Sequence, residues 1–305
     1  MNSEIPPLLK RIKINTVAAP DIKLIEDWYS KYLGYNVCEQ GILSEKLASS
    51  WGTPKMVDRP YSLMQPKSQE DVFIRVCEID KVENYKPMTT LGWNSFEIIV
   101  DNVYELYDEI KKSPFKIIGK PASLGGDLDF IHAMQVEGPA GDILYLTCDR
   151  VRAPDTLLPL PESFVGRPFI VILAGHGVET TQNFYNKKFL MKRDEDMKTE
   201  IGVIADAQGL AKEHIFDMGF MALSDSGNFI EYDGYSSNFG TRPHNEGQLP
   251  PGCSTVSFEV ESIDQIDLNF VGEAVEDPSI AYAGGRSRTA IGPVGELIEL
   301  VEKLR

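Results

Sequence analysis

The sequence predicts an α+β fold built from four copies of a βαβββ module. Three observations predict it. A strand-like run followed by a helix that ends on an aromatic pair occurs at Asp21-Ile-Lys-Leu-Ile-Glu-Asp-Trp28-Tyr29 and again at Val178-Glu-Thr-Thr-Gln-Asn-Phe184-Tyr185. A Gly-Pro-x-Gly turn that leads into a strand occurs at Gly138-Pro-Ala-Gly141-Asp-Ile-Leu-Tyr145 and at Gly292-Pro-Val-Gly295-Glu-Leu-Ile-Glu299. The spacing is steady, with 156 positions from Trp28 to Phe184 and 154 from Tyr145 to Glu299. A constant period marks duplication.

The elements follow in order. Residues 11–19 are rich in Ile and Val and read as a strand. Asp21 then stands where a helix N-cap would, ahead of Leu24, Ile25, Trp28, Tyr32 and Leu33 at helical spacing, and Gly34 ends the helix. Residues 35–40, 61–66 and 72–79 continue as strands, and the polar stretch 41–60 between them reads as a loop. The second module opens at Ser95–Val100, has a helix over Val103–Lys112, and ends with extended runs at Phe115–Ile118, Ile131–Val136 and Asp142–Cys148. Residues 149–167 contain three prolines and no period, so they read as a linker. A third module spans about 168–235. The stretch 234–252, rich in Gly, Pro and Asn, connects it to a fourth that begins at Ser254 and ends at Glu302. The implied division is an N-terminal domain over 1–148 (modules one and two) and a C-terminal domain over 168–305 (modules three and four).

Composition narrows the function. The 305 residues carry a net charge of −16, which repels phosphate backbones and argues against a nucleic-acid partner. Cys38, Cys77, Cys148 and Cys253 have no short spacing, so CxxC zinc or redox motifs are excluded, and reduced thiols in a cytoplasmic protein are expected. Met1-Asn-Ser-Glu-Ile-Pro-Pro lacks the pattern of a signal peptide, and no apolar run approaches bilayer-spanning length, so neither a signal peptide nor a membrane span is expected. There is no P-loop, dinucleotide-binding fingerprint or nucleophile elbow.

The strand, the helix ending in an aromatic pair, and the terminal Gly-x-x-Ile-Glu-Leu strand together resemble the vicinal oxygen chelate superfamily. That group includes glyoxalase I, extradiol dioxygenases, methylmalonyl-CoA epimerase and the bleomycin resistance proteins. The resemblance covers nearly the whole chain. It implies that the modules pair into two curled-sheet, glyoxalase-like domains, each enclosing a cleft. It also implies divalent metal ligands at one position on each module's first strand and one on its last.

Counting back from each helix places the first-strand positions at Ile14, Ser95, Ile170 and Thr255, and the last-strand positions at Arg75, Tyr145, Glu231 and Glu299. No His, Gln or Glu occupies the first-strand set, so the two-His, one-carboxylate triad of an extradiol dioxygenase is missing. Only Glu231 and Glu299 remain as carboxylates, enough for a loosely held Mg²⁺ or Mn²⁺ if any metal is bound; the cofactor is otherwise open. The other option is metal-free. Two glutamates facing one cleft would raise one pKa by like-charge repulsion and supply a general base. Strand alternation sets Glu299 on one face with Leu297 and Val301.

Arg286 and Arg288 share a face and are candidates to clamp a substrate anion or to pair with Glu299. His214 and His244 flank the half that keeps the glutamates, His214 as a catalytic candidate and His244 as a binding one. Arg75, Tyr145, Ile170 and Thr255 complete the candidate cleft.

The reading is a catabolic lyase, isomerase or epimerase that acts on a small oxygenated compound, aromatic compounds included, by carboxylate acid/base chemistry in the C-terminal cleft. The alternative is a small-molecule binding protein of the bleomycin-resistance type, for which 14 Phe, 12 Tyr and 3 Trp offer stacking surfaces. A divergent metal-dependent dioxygenase ranks third. A monomer or a homodimer fits either of the first two.

Overall fold

The computed structural model describes residues 5–152, 156, 158–193 and 196–303. Module one contains β1 (Leu9–Ala19), α1 (Ile22–Trp28), β2 (Asn36–Ile42), α2 (Glu45–Ser50), β3 (Pro60–Gln65) and β4 (Phe73–Glu78). Module two contains β5 (Gly92–Val100), α3 (Val103–Ile110), β6 (Lys116–Ser123), β7 (Ile131–Glu137) and β8 (Ile143–Asp149). Module three contains β9 (Val165–Gly175), α4 (Val178–Phe189), β10 (Met197–Glu200), α5 (Gly202–Gln208), β11 (Ile215–Ala222) and β12 (Phe229–Gly234). Module four contains β13 (Gly252–Val260), a single 3₁₀ turn at Ile263–Gln265 in place of the helix, β14 (Val275–Glu276), β15 (Arg286–Ile291) and β16 (Leu297–Glu302).

Local chemistry sets the helix boundaries. The Asp21 side chain accepts the Leu24 N–H at 3.0 Å and caps α1. A cap of this kind contributes about 1 kcal/mol. A π turn over Tyr29–Leu33 extends the helix until Gly34, at φ 70°, ends it in the left-handed conformation. Asn102 caps α3 by accepting from the N–H groups of Tyr104 and Glu105.

Within each module the strands lie in the order first, last, third, second. Two eight-stranded curled sheets result, ordered β14-β15-β16-β13-β1-β4-β3-β2 and β10-β11-β12-β9-β5-β8-β7-β6. The centre of the first sheet is the antiparallel pair β1–β13, from Leu9↔Val260 to Ala18↔Gly252. The centre of the second is β5–β9.

The pairing therefore differs from the expected order. Module one shares a sheet with module four, and module two with module three, so residues 1–148 do not close a sheet of their own. The physical reason lies in the first strands. Docking β9 antiparallel on β5 uses up both of those edges. The open edges of β1 and β13 are left, and they pair with each other.

The sheets pack against one another through a shared core. Val17, Phe96, Val171 and Phe258 from the four first strands meet there, together with Tyr29, Leu106 and Tyr185 from the helical layer. The opposite face of each sheet forms a cup with its own apolar filling. Leu47, Ala48 and Trp51 fill the first, and Ile204 and Ala205 of α5 fill the second. Helix α2 falls in the stretch 41–60, expected to be a loop. Ser44 starts α2 by capping Leu47, and the apolar sides of both short helices turn into the cups.

Candidate active site

The strand register identifies which residues face each other at the floor of the cups. In the first sheet Thr16 lies beside Arg75, and Ser257 beside Glu299. In the second, Glu97 lies beside Tyr145, and Ile172 beside Glu231. Thr16, Glu97, Ile172 and Ser257 each stand five residues before their module's N-cap, at Asp21, Asn102, Gly177 and Ser262. The expected positions Ile14, Ser95, Ile170 and Thr255 stand seven before it. They lie on the correct face, but two residues away from the register row. This offset hid Glu97, the carboxylate that the first-strand set lacked.

The first cup is sealed by an internal ion pair. Arg75 and Glu299 are 2 % and 0 % exposed. The guanidinium donates from Nη2 to Glu299 at 3.0 Å, from Nε to Thr16 Oγ1 at 3.0 Å, and from Nη1 to the Tyr282 hydroxyl. It stacks on the Trp51 ring at 4.3 Å. Glu299 also accepts from Trp51 Nε1 and Tyr282, both at 2.9 Å, and from Ser257. Burial alone would raise the Glu299 pKa, but the Arg75 charge and these three donors reverse the effect and hold it below the ordinary value. Glu299 is thus a fixed anion with every lone-pair direction in use.

The second cup holds acids without a cation. Glu97, Tyr145 and Glu231 are 8 %, 8 % and 7 % exposed, so its floor touches solvent. Asp233 shares a face with Glu231, two residues along β12, and is buried. Thr147 donates to Glu97 at 2.8 Å. Glu231 shares hydrogen bonds with both Asp233 and Glu97, and the Tyr235 hydroxyl lies beside Asn94. Among the described residues none of these three carboxylates is paired with a Lys or Arg.

Burial pushes Glu97 and Asp233 up to about 7 each. Burial, followed by the charges of Asp233 and Glu97, pushes Glu231 well above the carboxylate range. Burial and the same acids keep the Tyr145 phenol protonated. At neutral pH the cup therefore offers shared protons, an ionisable carboxylate pair and a phenolic donor, which is the equipment for moving a proton.

The remaining sequence candidates scatter. Glu231 and Glu299 lie in different sheets because module four pairs with module one, so they cannot act on one substrate or share one metal ion. Ile170 lines the second cup and Thr255 the first. Arg286 and Arg288 lie one residue out of phase with Thr289, which faces Glu299, so they project to the other side of β15. There Arg286 pairs with Asp264 and Glu302, while Arg288 stacks on Phe270 at 4.2 Å. His214 packs on Phe216 on the exposed surface, and exposed His244 contacts the Arg242 carbonyl. Sequence reasoning missed Glu97, Asp233 and Tyr235.

No family model matches the sequence, and no curated protein matches it significantly. Solved structures do. Glyoxalase I from Zea mays superposes with a TM-score of 0.61 at 16 % identity, over 96 % of this chain and 92 % of its own. A provisionally assigned dioxygenase from Bacillus subtilis subsp. subtilis str. 168 superposes with a TM-score of 0.62 at 10 % identity, over 99 % of this chain and 87 % of its own.

The fold is that of the vicinal oxygen chelate superfamily.

A vicinal oxygen chelate fold implies a divalent metal at the floor of a cup, and the residues present do not fit one. In the first cup the guanidinium of Arg75 stands among the ligand positions. In the second, Ile172 takes one position, and among the described residues no group of three His, Cys, Asp or Glu side chains is placed to hold a metal ion. No helix among those residues is long and apolar enough to cross a membrane.

Proposed function

We propose that this protein is a lyase, isomerase or epimerase that transfers a proton on a small oxygenated substrate in the cup of the second sheet. The observation that carries the reading is the trio Glu97, Glu231 and Asp233, which is buried without a cation among the described residues. A carboxylate poised near neutrality can take a proton beside a carbonyl and return it to a neighbouring atom. Glu97, near neutrality, takes the proton, and Glu231, which keeps its own, returns one to the neighbouring atom. Tyr145, held protonated, donates to the oxygen on which charge develops. The likeness to glyoxalase I supports the class of chemistry through the fold alone.

Binding without reaction is the second reading. Phe220 stands beside Glu231, and Phe229 beside Ile170, so the cup has apolar walls that would retain a ligand.

The test is proton exchange. The protein is incubated in deuterated water with α-hydroxyketones, α-keto acids and hydroxylated aromatic compounds, and deuterium uptake is followed by NMR. Exchange with one class, reduced by about 10²-fold or more in Glu231→Gln, is expected. Absence of exchange with every class, or an unaltered rate in Glu231→Gln, overturns the reading.

A further inference from the structure

The two cups are closed by equivalent elements. Helices α2 and α5 each lie between the second and third strands of a module, and each turns apolar side chains into the cup of its own sheet. Ala48 of α2 and Ile204 and Ala205 of α5 are fully buried there. Tyr145 packs in one apolar cluster with Ile204 and Ala205, so a substrate that draws on Tyr145 needs the space these side chains fill. The floor itself meets solvent at no more than 8 % of Glu97, Tyr145 or Glu231, too little to admit one. In this structure the second cup is shut.

The two plugs are anchored differently. Helix α2 is pinned by polar contacts. Ser44 caps it at 3.1 Å, and Trp51, at its C-terminal end, donates to Glu299 at the floor of the cup at 2.9 Å. The Arg75 guanidinium stacks on the same indole at 4.3 Å. Helix α5 has no side-chain cap at Ile201. It meets its cup through apolar side chains alone, and among the described residues none of its side chains hydrogen-bonds to Glu97, Tyr145, Glu231 or Asp233. Its polar ties lie at its C-terminal end, where Lys86 donates to the Ala207 carbonyl and Gln208 donates to the Met88 carbonyl at 3.1 Å. The buried Gln208 Oε1 has no partner, a cost of the closed position that opening to water removes.

The chain around α5 is built to move as a unit. Glu200 and Ile215 pair at the ends of β10 and β11, so the two ends of 201–214 are held side by side by the sheet. Between them α5 runs from Gly202 to Gln208, and Gly209, at φ 70°, ends it. A Cβ at Gly202 or Gly209 would meet nothing within 4 Å, so neither glycine is there to make room. Each supplies backbone freedom at one end of the helix, which is what a hinge needs.

We propose that α5 is a lid over the second cup, opening about the glycines at its two ends while α2 keeps the first cup permanently shut. The inference rests on the reading of the second cup as the working site, and it adds the element that admits the substrate. Opening breaks the Lys86 and Gln208 contacts and lifts Ile204 and Ala205 off Tyr145, leaving the sheet intact.

Thiol labelling of the whole chain tests this. Cys38→Ser first removes the exposed thiol, leaving Cys77, Cys148 and Cys253 buried. Ala205→Cys and Ala48→Cys are then made separately in that background and treated with iodoacetamide, with modification followed by mass spectrometry. Global unfolding exposes all buried thiols together, and Cys77, in the first cup, reports it. Local opening exposes position 205 alone. Labelling at 205 is expected to be about tenfold or more faster than at 48 or at Cys77. Lys86→Ala is expected to speed labelling at 205 by about two- to tenfold and to leave 48 unaltered. Hydrogen exchange of the unsubstituted chain needs no folded variant, and amides of 203–208 are expected to exchange about tenfold or more faster than those of 47–51. Equal exchange in the two helices, or labelling at 205 no faster than at Cys77, overturns the proposal. Neither readout depends on catalysis, so the two hypotheses fail separately. A mobile α5 without deuterium uptake by any carbonyl compound sinks the proton-transfer reading and leaves the lid. Deuterium uptake with α5 as protected as α2 does the reverse.

Discussion

Tyr185 donates a hydrogen bond to Glu296 at 2.9 Å, and Tyr29 donates one to Asp142. In both cases the second residue of an aromatic pair, Trp28-Tyr29 or Phe184-Tyr185, reaches the acid that follows a Gly-Pro-x-Gly turn. The two repeated sequence motifs are therefore two sides of one contact, made twice. The turn glycine makes room for the acid. A Cβ on Gly292 would lie 1.9 Å from Glu296 Oε1, and one on Gly138 would lie 2.2 Å from Asp142 Oδ2.

Tyr185→Phe is expected to lower stability by about 1–3 kcal/mol, because Glu296 loses a donor at a buried site. Gly292→Ala is expected to destabilise as well, since the acid must be displaced from its turn. Urea denaturation of both variants is the measurement. Two curves that overlay the parent would show that the contact holds nothing together.

Arg75→Met is expected to cost about 3–5 kcal/mol, because it leaves Glu299 as an uncompensated buried charge. The double variant Arg75→Met/Glu299→Leu is expected to be more stable than Arg75→Met alone, since it removes the stranded anion. A double variant as unstable as the sum of the two single ones would mean that the pair is not coupled.

Stability is expected to fall as pH rises from about 4.5 to 8. Glu97, Asp233 and Glu296 are each pushed up to about 7 by burial, above the values they take in the unfolded chain. Their contribution is full below the unfolded pKa and is lost as pH passes the folded one. One pKa unit is worth about 1.4 kcal/mol, so a melting-temperature profile resolves the effect. Glu296→Gln is expected to flatten part of it. Glu299 behaves oppositely, because its pKa is held low. Its contribution is present above the unfolded value and is lost as pH falls through the lowered folded value. A profile that rises steadily from pH 5 to 8 would contradict the first assignment.

Arg286→Ala and His214→Ala are expected to leave proton exchange within about twofold of the parent, because both side chains lie outside the cups. A loss comparable to that of Glu231→Gln in either variant would place the chemistry elsewhere.

The repeat made the modules legible, and alternation made the faces legible. Leu297, Glu299 and Val301 do share the first cup, as their spacing requires. Legibility ended where partners come from far along the chain. Nothing near Glu299 announces Trp51, which is 248 residues away and donates to it, or Arg75, which neutralises it. The glutamate therefore read as a free base when it is a pinned anion. Glu97 was concealed by a counting origin. Measured from the N-cap instead of from the helix pattern, it falls at the same offset as Thr16, Ile172 and Ser257. Asp233 lies two residues from Glu231 in the sequence, but only its burial against that glutamate distinguishes it.

The pairing of modules two with three and one with four is nested, like an inner and an outer bracket. During synthesis the inner sheet has all its strands once β12 is made, whereas β1 must wait, with one edge open, for a partner about 240 residues downstream. That delay exposes an apolar strand to mispairing with other chains, and it makes the outer sheet the slower one to close. Cleavage in the segment between β8 and β9 would separate the halves of both sheets, so the chain's most linker-like stretch is the wrong place to divide it.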